Sequence, residues 1–172
     1  MRNMKTPCVK SVLLDTSFLI TLLNDARNHH KTATDYFYLW TTHKVTLYAS
    51  TIVIAEYSVR GKLEDFVMQH LTVLPFNYDH ALKTGELVAT QAEAKKNNIW
   101  PLVGNERDAV KDDLKLFAQT HLTDSHLLAT ADEGMPRLAD FFRSEGYLAF
   151  DILPLWEPFN HDMATTGERG LL

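Results

Sequence analysis

The chain has 172 residues, 45% hydrophobic and 23% charged, with seven glycines and six prolines, a composition that fits one domain around one core and excludes the disordered, collagen-like and disulfide-scaffold classes. Its 17 basic and 22 acidic side chains give a formal charge of −5, which disfavours gripping nucleic acid mainly by neutralising phosphates; a polyanionic substrate would need local positive charge, from metal ions. No apolar run reaches the ~18 residues of a membrane span, Met1 to Lys5 do not lead into a signal peptide, and the lone Cys8 cannot form an internal bridge, so a reducing, cytoplasmic setting without membrane contact is expected, with Cys8 a bystander.

In chain order, the apolar run 11–14 predicts a strand ending on Asp15, and the Thr16 and Ser17 hydroxyls are placed to cap a helix over 18–23. Ala33, Tyr36, Phe37 and Trp40 recur at three- and four-residue intervals, predicting a helix over 29–40 with one face to the core. The β-branched and aromatic stretch 45–49 predicts a strand, followed by Ser50 and Thr51 as caps for a helix over 52–60 that Gly61 ends. Leu63, Phe66, Val67 and Leu71 form another helical stripe, 73–76 is extended with Pro75 marking a strand end or edge, and Asp79 is placed to cap a long helix to about Lys96. A polar stretch, 97–107, leads to a helix over 108–119, a strand over 126–130, a helix over 137–145 and a last strand over 147–153. Alternating strands and helices favour an α/β sandwich of three layers with a largely parallel central sheet. The core domain is expected over 8–157, with 158–172 a mobile tail because the end of the chain is small, polar and without apolar period.

Acids at apolar positions carry the chemical argument, since a carboxylate needs no explanation on a solvated face but does where the pattern expects an apolar group. Glu56 falls three and four residues after Val53 and Ile52, and Asp113 falls three and four before Leu116 and Phe117, so both emerge on apolar helix faces. Asp15 and Asp132 follow predicted strand ends, where open parallel sheets bind ligands. If the fold gathers them, their repulsion calls for protons or hard cations, and magnesium or manganese prefers such oxygen ligands. Asp112 has Lys115 three places on and is expected to project elsewhere, and Asp124 lies at the opposite end of its strand. Read singly, Asp15 is a helix cap, Asp132 a turn residue and Glu56 a rim partner of Arg60.

The motifs Val12-Leu13-Leu14-Asp15-Thr16-Ser17, Ala55-Glu56, Asp113 to Gln119, and Leu128-Ala129-Thr130-Ala131-Asp132 resemble, in order, those of PIN-domain proteins, and in particular the VapC-like ribonuclease toxins. The resemblance spans residues 11–156. It implies that Asp15, Glu56, Asp113 and Asp132 are catalytic and bind Mg2+ or Mn2+, with Thr16 or Ser17 supporting the first acid. It further implies endonucleolytic hydrolysis of RNA, a homodimer and a small antitoxin protein as partner. Arg60 and Lys115 are candidates for RNA phosphates, and Tyr57 for base stacking. The segment 77–107 is longer and more polar than in compact toxins of this kind. A PIN-like RNA- or protein-interaction module without turnover is the alternative, with a small-phosphoester hydrolase behind it. His29, His30, His121 and His126 lack zinc-site spacing, and neither a nucleophile elbow nor a glycine-rich phosphate loop is present.

Overall fold

The computed structural model describes residues 9–61, 65–101 and 107–166; Cys8 lies outside them. Five strands run β1 (Ser11–Leu14), β2 (Thr46–Ser50), β3 (Leu71–Leu74), β4 (Leu127–Thr130) and β5 (Asp151–Pro154). They form one sheet in the order β3-β2-β1-β4-β5, with every pairing parallel. Parallel neighbours need crossovers, and helices supply them: α1 (Thr16–Leu22) and α2 (His30–Thr42) after β1, α3 (Thr51–Ser58) and α4 (Asp65–Met68) after β2, α5 (Tyr78–Lys96) and α6 (Arg107–Leu122) after β3, and α7 (Gly134–Ser144) after β4. The predicted α/β class with a parallel central sheet is the one observed.

The central strands β1 and β4 are buried along their whole length, as apolar strands covered on both faces must be. The edge strand β3 is half-exposed and stops before Pro75, which has no N–H to continue a ladder. The four-residue stripe read in the sequence is the buried face of α2: Ala33, Tyr36, Phe37 and Trp40 all turn inward.

Several boundaries differ from the reading for identifiable reasons. Asp15, not the following hydroxyls, caps α1, accepting from Thr16 N at 2.6 Å and Ser17 N at 3.3 Å. Asn77 rather than Asp79 caps α5 in a reciprocal box with His80. Leu71 belongs to β3 instead of to a helix, because pairing with β2 outweighs a local helical spacing. Strand β5 begins only at Asp151.

The tail is corrected most. A further helix, α8 (His161–Thr166), follows β5 and buries Met163 and Ala164. Fully buried Trp40 donates its indole N–H to the Ala164 carbonyl at 3.1 Å, the Tyr36 hydroxyl accepts from Asn160 N at 3.0 Å, and Val9 N donates to the Thr165 carbonyl at 2.9 Å. Two buried apolar side chains and three hydrogen bonds tie down a segment whose sequence shows no period, because six residues are too few to display one. Residues 167–172 lie outside the described part. No described helix is long and apolar enough to cross a membrane.

Candidate active site

The C-terminal edge of the sheet collects the acids. Asp15 directly follows β1 and Asp132 lies two residues past β4, and these strands are neighbours. On the other side of β1, strand β2 leads into α3, which carries Glu56, while α6 brings Asp113. Buried polar bonds fix the two helices relative to each other. The Ser50 hydroxyl caps α3 by accepting from Ile52 N at 3.0 Å and donates to Gln119 Oε1 of α6 at 2.6 Å, while Gln119 Nε2 donates to the Leu74 carbonyl at 3.3 Å. Ser50 and Gln119 are wholly buried, so breaking this link would leave unpaired polar groups in the core.

Asp15 is 6% exposed and saturated with donors. Its Oδ2 accepts from the Ser17 hydroxyl at 2.5 Å and the Thr130 hydroxyl at 2.9 Å. Those hydroxyls accept in turn from Ala131 N at 2.8 Å and Asp132 N at 2.9 Å. The end of β4 is thus stitched through Ser17 and Thr130 to the first acid. Thr16, beside it, donates its hydroxyl to Glu56 Oε2 instead. Asp132 is exposed and its Oδ1 accepts from Gly134 N at 2.7 Å. A Cβ added at Gly134 would stand 3.1 Å from that oxygen, so the turn after β4 favours a residue without one.

Ser17→Ala is expected to lower unfolding free energy by about 1–3 kcal/mol in urea titration, because it removes a donor from a buried carboxylate and an acceptor from Ala131 N–H. An unchanged midpoint would show that water replaces the hydroxyl.

Electrostatics join the remaining acids. Burial pushes the Asp15 carboxyl up, against the hydrogen bonds from Ser17, Thr130 and the backbone that pull it down. Burial also raises Glu56; the Thr16 bond opposes this, and the Asp112 and Asp15 charges add to it. The half-buried Asp113 is pushed up to about 8, first by burial and then by the charges of Asp15, Asp132, Glu56 and Asp112. Its carboxyl therefore feels the charges of the other three predicted acids.

Asp112 departs from its expected place. It does pair with Lys115 at 2.6 Å, yet its carboxyl also meets that of Glu56 and adds to the negative field on Asp113. The helical offset read correctly for the lysine said nothing of α3, which approaches from a distant part of the chain. Lys115 is occupied by that ion pair, and Arg60 is exposed beyond the end of α3. Tyr57 packs partly buried against the core. Ser50, Gln119 and Thr130 are the supports that sequence reading missed. The signal for Gln119 was available: it and Thr120 stand three and four residues after Leu116 on the buried stripe of α6.

The donor set is all oxygen, carboxylates with hydroxyls behind them, which suits a hard divalent cation rather than zinc or a soft metal. Among the described residues, no group of three or more His, Cys, Asp or Glu side chains is arranged to hold an ion as it stands. Three of the four carboxylates accept from donors of the protein: Asp15 from Ser17 and Thr130, Glu56 from Thr16, and Asp132 from Gly134.

A cavity of about 560 Å3 opens at the other end of the sheet, its lining including Lys10, Thr46, Asp124 and His126. None of the four acids borders it, and Asp124 lies there, outside the acidic cluster as expected.

No family model matches the sequence, and no curated protein matches it. Solved structures do. The chain is similar to one of VapBC2 from Rickettsia felis, solved bound to a DNA fragment from its promoter, with a TM-score of 0.54 and 18% identity, over 83% of this chain and 98% of that one. It is similar also to a chain of DNA-bound VapBC from Salmonella typhimurium, with a TM-score of 0.51 and 19% identity, over 84% and 98% respectively.

The fold is PIN-like.

The part of the PIN-like fold shared with those chains accounts for nearly all of their length. The four acids, separated in sequence, stand where this fold places the ends of β1 and β4 and the helices α3 and α6.

Proposed function

We propose that this chain is a metal-dependent endoribonuclease in which Asp15, Glu56, Asp113 and Asp132 hold Mg2+ or Mn2+ against the scissile phosphodiester. The observation that carries this reading is geometric: Asp15 and Asp132 follow neighbouring parallel strands and Glu56 is tied to the same edge through Thr16, and Asp113 is raised to about 8 by burial and by the charges of these three acids and Asp112, a crowding that costs folding unless a cation or proton relieves it. The bound ion would supply Lewis acidity, a more acidic water and charge neutralisation at the phosphate. The protein's own groups do the rest. Ser17 and Thr130 keep the Asp15 carboxylate oriented, Thr16 holds Glu56, and the buried Ser50–Gln119 bond fixes α6 so that Asp113 faces the ends of β1 and β4. Arg60, exposed past α3, is available to an RNA phosphate.

The Rickettsia structure is of VapBC2 on a fragment of its promoter and the Salmonella structure of VapBC on DNA, and VapBC complexes pair a toxin with an antitoxin. By likeness of fold, the present chain is read as the toxin of such a pair, with a small antitoxin as partner and a homodimer as its assembly. Purified protein should cleave single-stranded RNA in magnesium, lose that activity in EDTA and regain it with manganese. Asp15→Asn and Glu56→Gln should lose it in either metal. Cleavage that survives chelation, or that either variant retains at the wild-type rate, would refute the reading.

A further inference from the structure

Beside Asp132 the C-terminal edge of the sheet holds a cavity of about 320 Å3, bordered by Arg27, Asn28 and His29 from the α1–α2 connection, by Ala131 and Glu133, and by Trp156 just past β5. Ala131 and Glu133 are the residues on either side of Asp132, so the cavity borders the chain segment that carries this acid, although none of the four acids lines it. Its volume is at the small end for ligand pockets and suits one nucleotide rather than a duplex.

Four of the side chains around it are uncommitted. Trp156 is half-buried and stacks on no ring among the described residues, whereas Trp40 stacks on Tyr36 and Trp100 meets Phe141 edge-on. Arg27 is exposed and makes no ion pair among the described residues, and the Asn28 amide accepts and donates no hydrogen bond there. Glu133 stands at the N-cap of α7 but makes no side-chain capping bond. An unstacked indole, a spare guanidinium, a free amide and a free carboxylate around one hollow match the four things a nucleotide offers: a π face, a phosphate, and base-edge acceptors and donors.

We propose that this cavity is a nucleotide subsite for single-stranded RNA, in which a base next to the scissile phosphate stacks on Trp156 while Arg27 takes a phosphate of the same strand. This inference rests on the ribonuclease reading for the identity of the strand. The Glu133 carboxylate can only accept hydrogen bonds when ionised, so it favours the N6 amino group of adenine over the uracil edge, whose single N3–H is flanked by two carbonyl oxygens that repel a carboxylate.

The test uses the full chain carrying Asp113→Asn, so that RNA persists, and fluorescein-labelled pentamers of adenylate and of uridylate in magnesium. Anisotropy should show tighter binding of the adenylate. Trp156→Ala should weaken it about tenfold, within the range for loss of one base–aromatic stack, and Trp156→Phe should restore most of it. Arg27→Gln, at an exposed position that folding does not depend on, should reduce the slope of log K against log salt by about 0.7, the value for one phosphate contact on a single strand. Glu133→Ala should narrow the preference for adenylate.

Unchanged binding in Trp156→Ala and Arg27→Gln, or equal affinity for the two pentamers, would overturn the subsite. Failure of the nuclease reading looks different: the unmutated acid cluster would leave RNA intact in magnesium while pentamer binding still depended on Trp156 and Arg27. Cleavage that ignores both residues would overturn the subsite alone.

Discussion

Asp113→Asn should reduce RNA cleavage by about a hundredfold or more, the loss typical when one preorganised electrostatic partner of a transition state is removed, while making the metal-free protein more stable. The two effects have one cause. In the absence of a cation, the Asp113 carboxyl is held among Asp15, Asp132, Glu56 and Asp112 and pushed up to about 8; asparagine keeps the shape and removes the charge. A site built only for structure would show the opposite pairing, with stability lost alongside activity. Thermal melting in EDTA at about pH 8.5, where the wild-type carboxyl is ionised in both states, reads the stability arm. A variant that melts lower than wild type there would contradict the placement of Asp113 among like charges.

The second large effect is on the pH dependence of folding. The unfolded Asp113 releases its proton near 3.8 and the folded one at about 8, so the folded state binds more protons between those values. Stability from this group is complete below the unfolded value and is lost as pH rises to about 8, by up to about 1.4 kcal/mol per pH unit. Asp15 and Glu56, also raised, act in the same direction. His80 and His121 act against them, because burial lowers both below 6.5 and stability gained there rises with pH. The histidine contribution is over by about pH 7.5. From about pH 7.5 to about pH 8.5, therefore, the melting temperature in EDTA should fall. Millimolar magnesium should flatten that slope by supplying the compensating charge, and Asp113→Asn should flatten it without magnesium. A wild-type slope that magnesium leaves intact would detach the acids from metal binding.

Much of this fold was legible because local patterns and tertiary demands coincide. The run Ser11 to Leu14 reads as a buried strand and is one, since a strand covered on both faces has no need of alternation. The Ala33, Tyr36, Phe37 and Trp40 stripe reads as a buried helix face for the same reason: the core selects the spacing that the helix presents. Leu71 shows the limit. Its spacing from Val67 fits a helix, but the decisive contact is its pairing with Leu47 on β2, far away in the chain. The segment that forms α8 shows another limit, for its order comes from Trp40 and Tyr36 rather than from any pattern of its own.

The acids divide in the same way. Sequence alone marked Glu56 and Asp113 as carboxylates on apolar faces and Asp15 and Asp132 as carboxylates at strand ends, because backbone periodicity dictates where a side chain emerges. Only the tertiary structure decided which charges meet. It brought Asp112 against Glu56 despite its ion pair with Lys115, turned the Thr16 hydroxyl to Glu56 and the Ser17 hydroxyl to Asp15, and set Trp156 and Arg27 around a hollow beside Asp132. Direction along one element is a local property fixed by φ and ψ, whereas distance between elements depends on how the whole sheet and its helices pack. A carboxylate's charge state follows distance, and so it could be read only after the chain had folded.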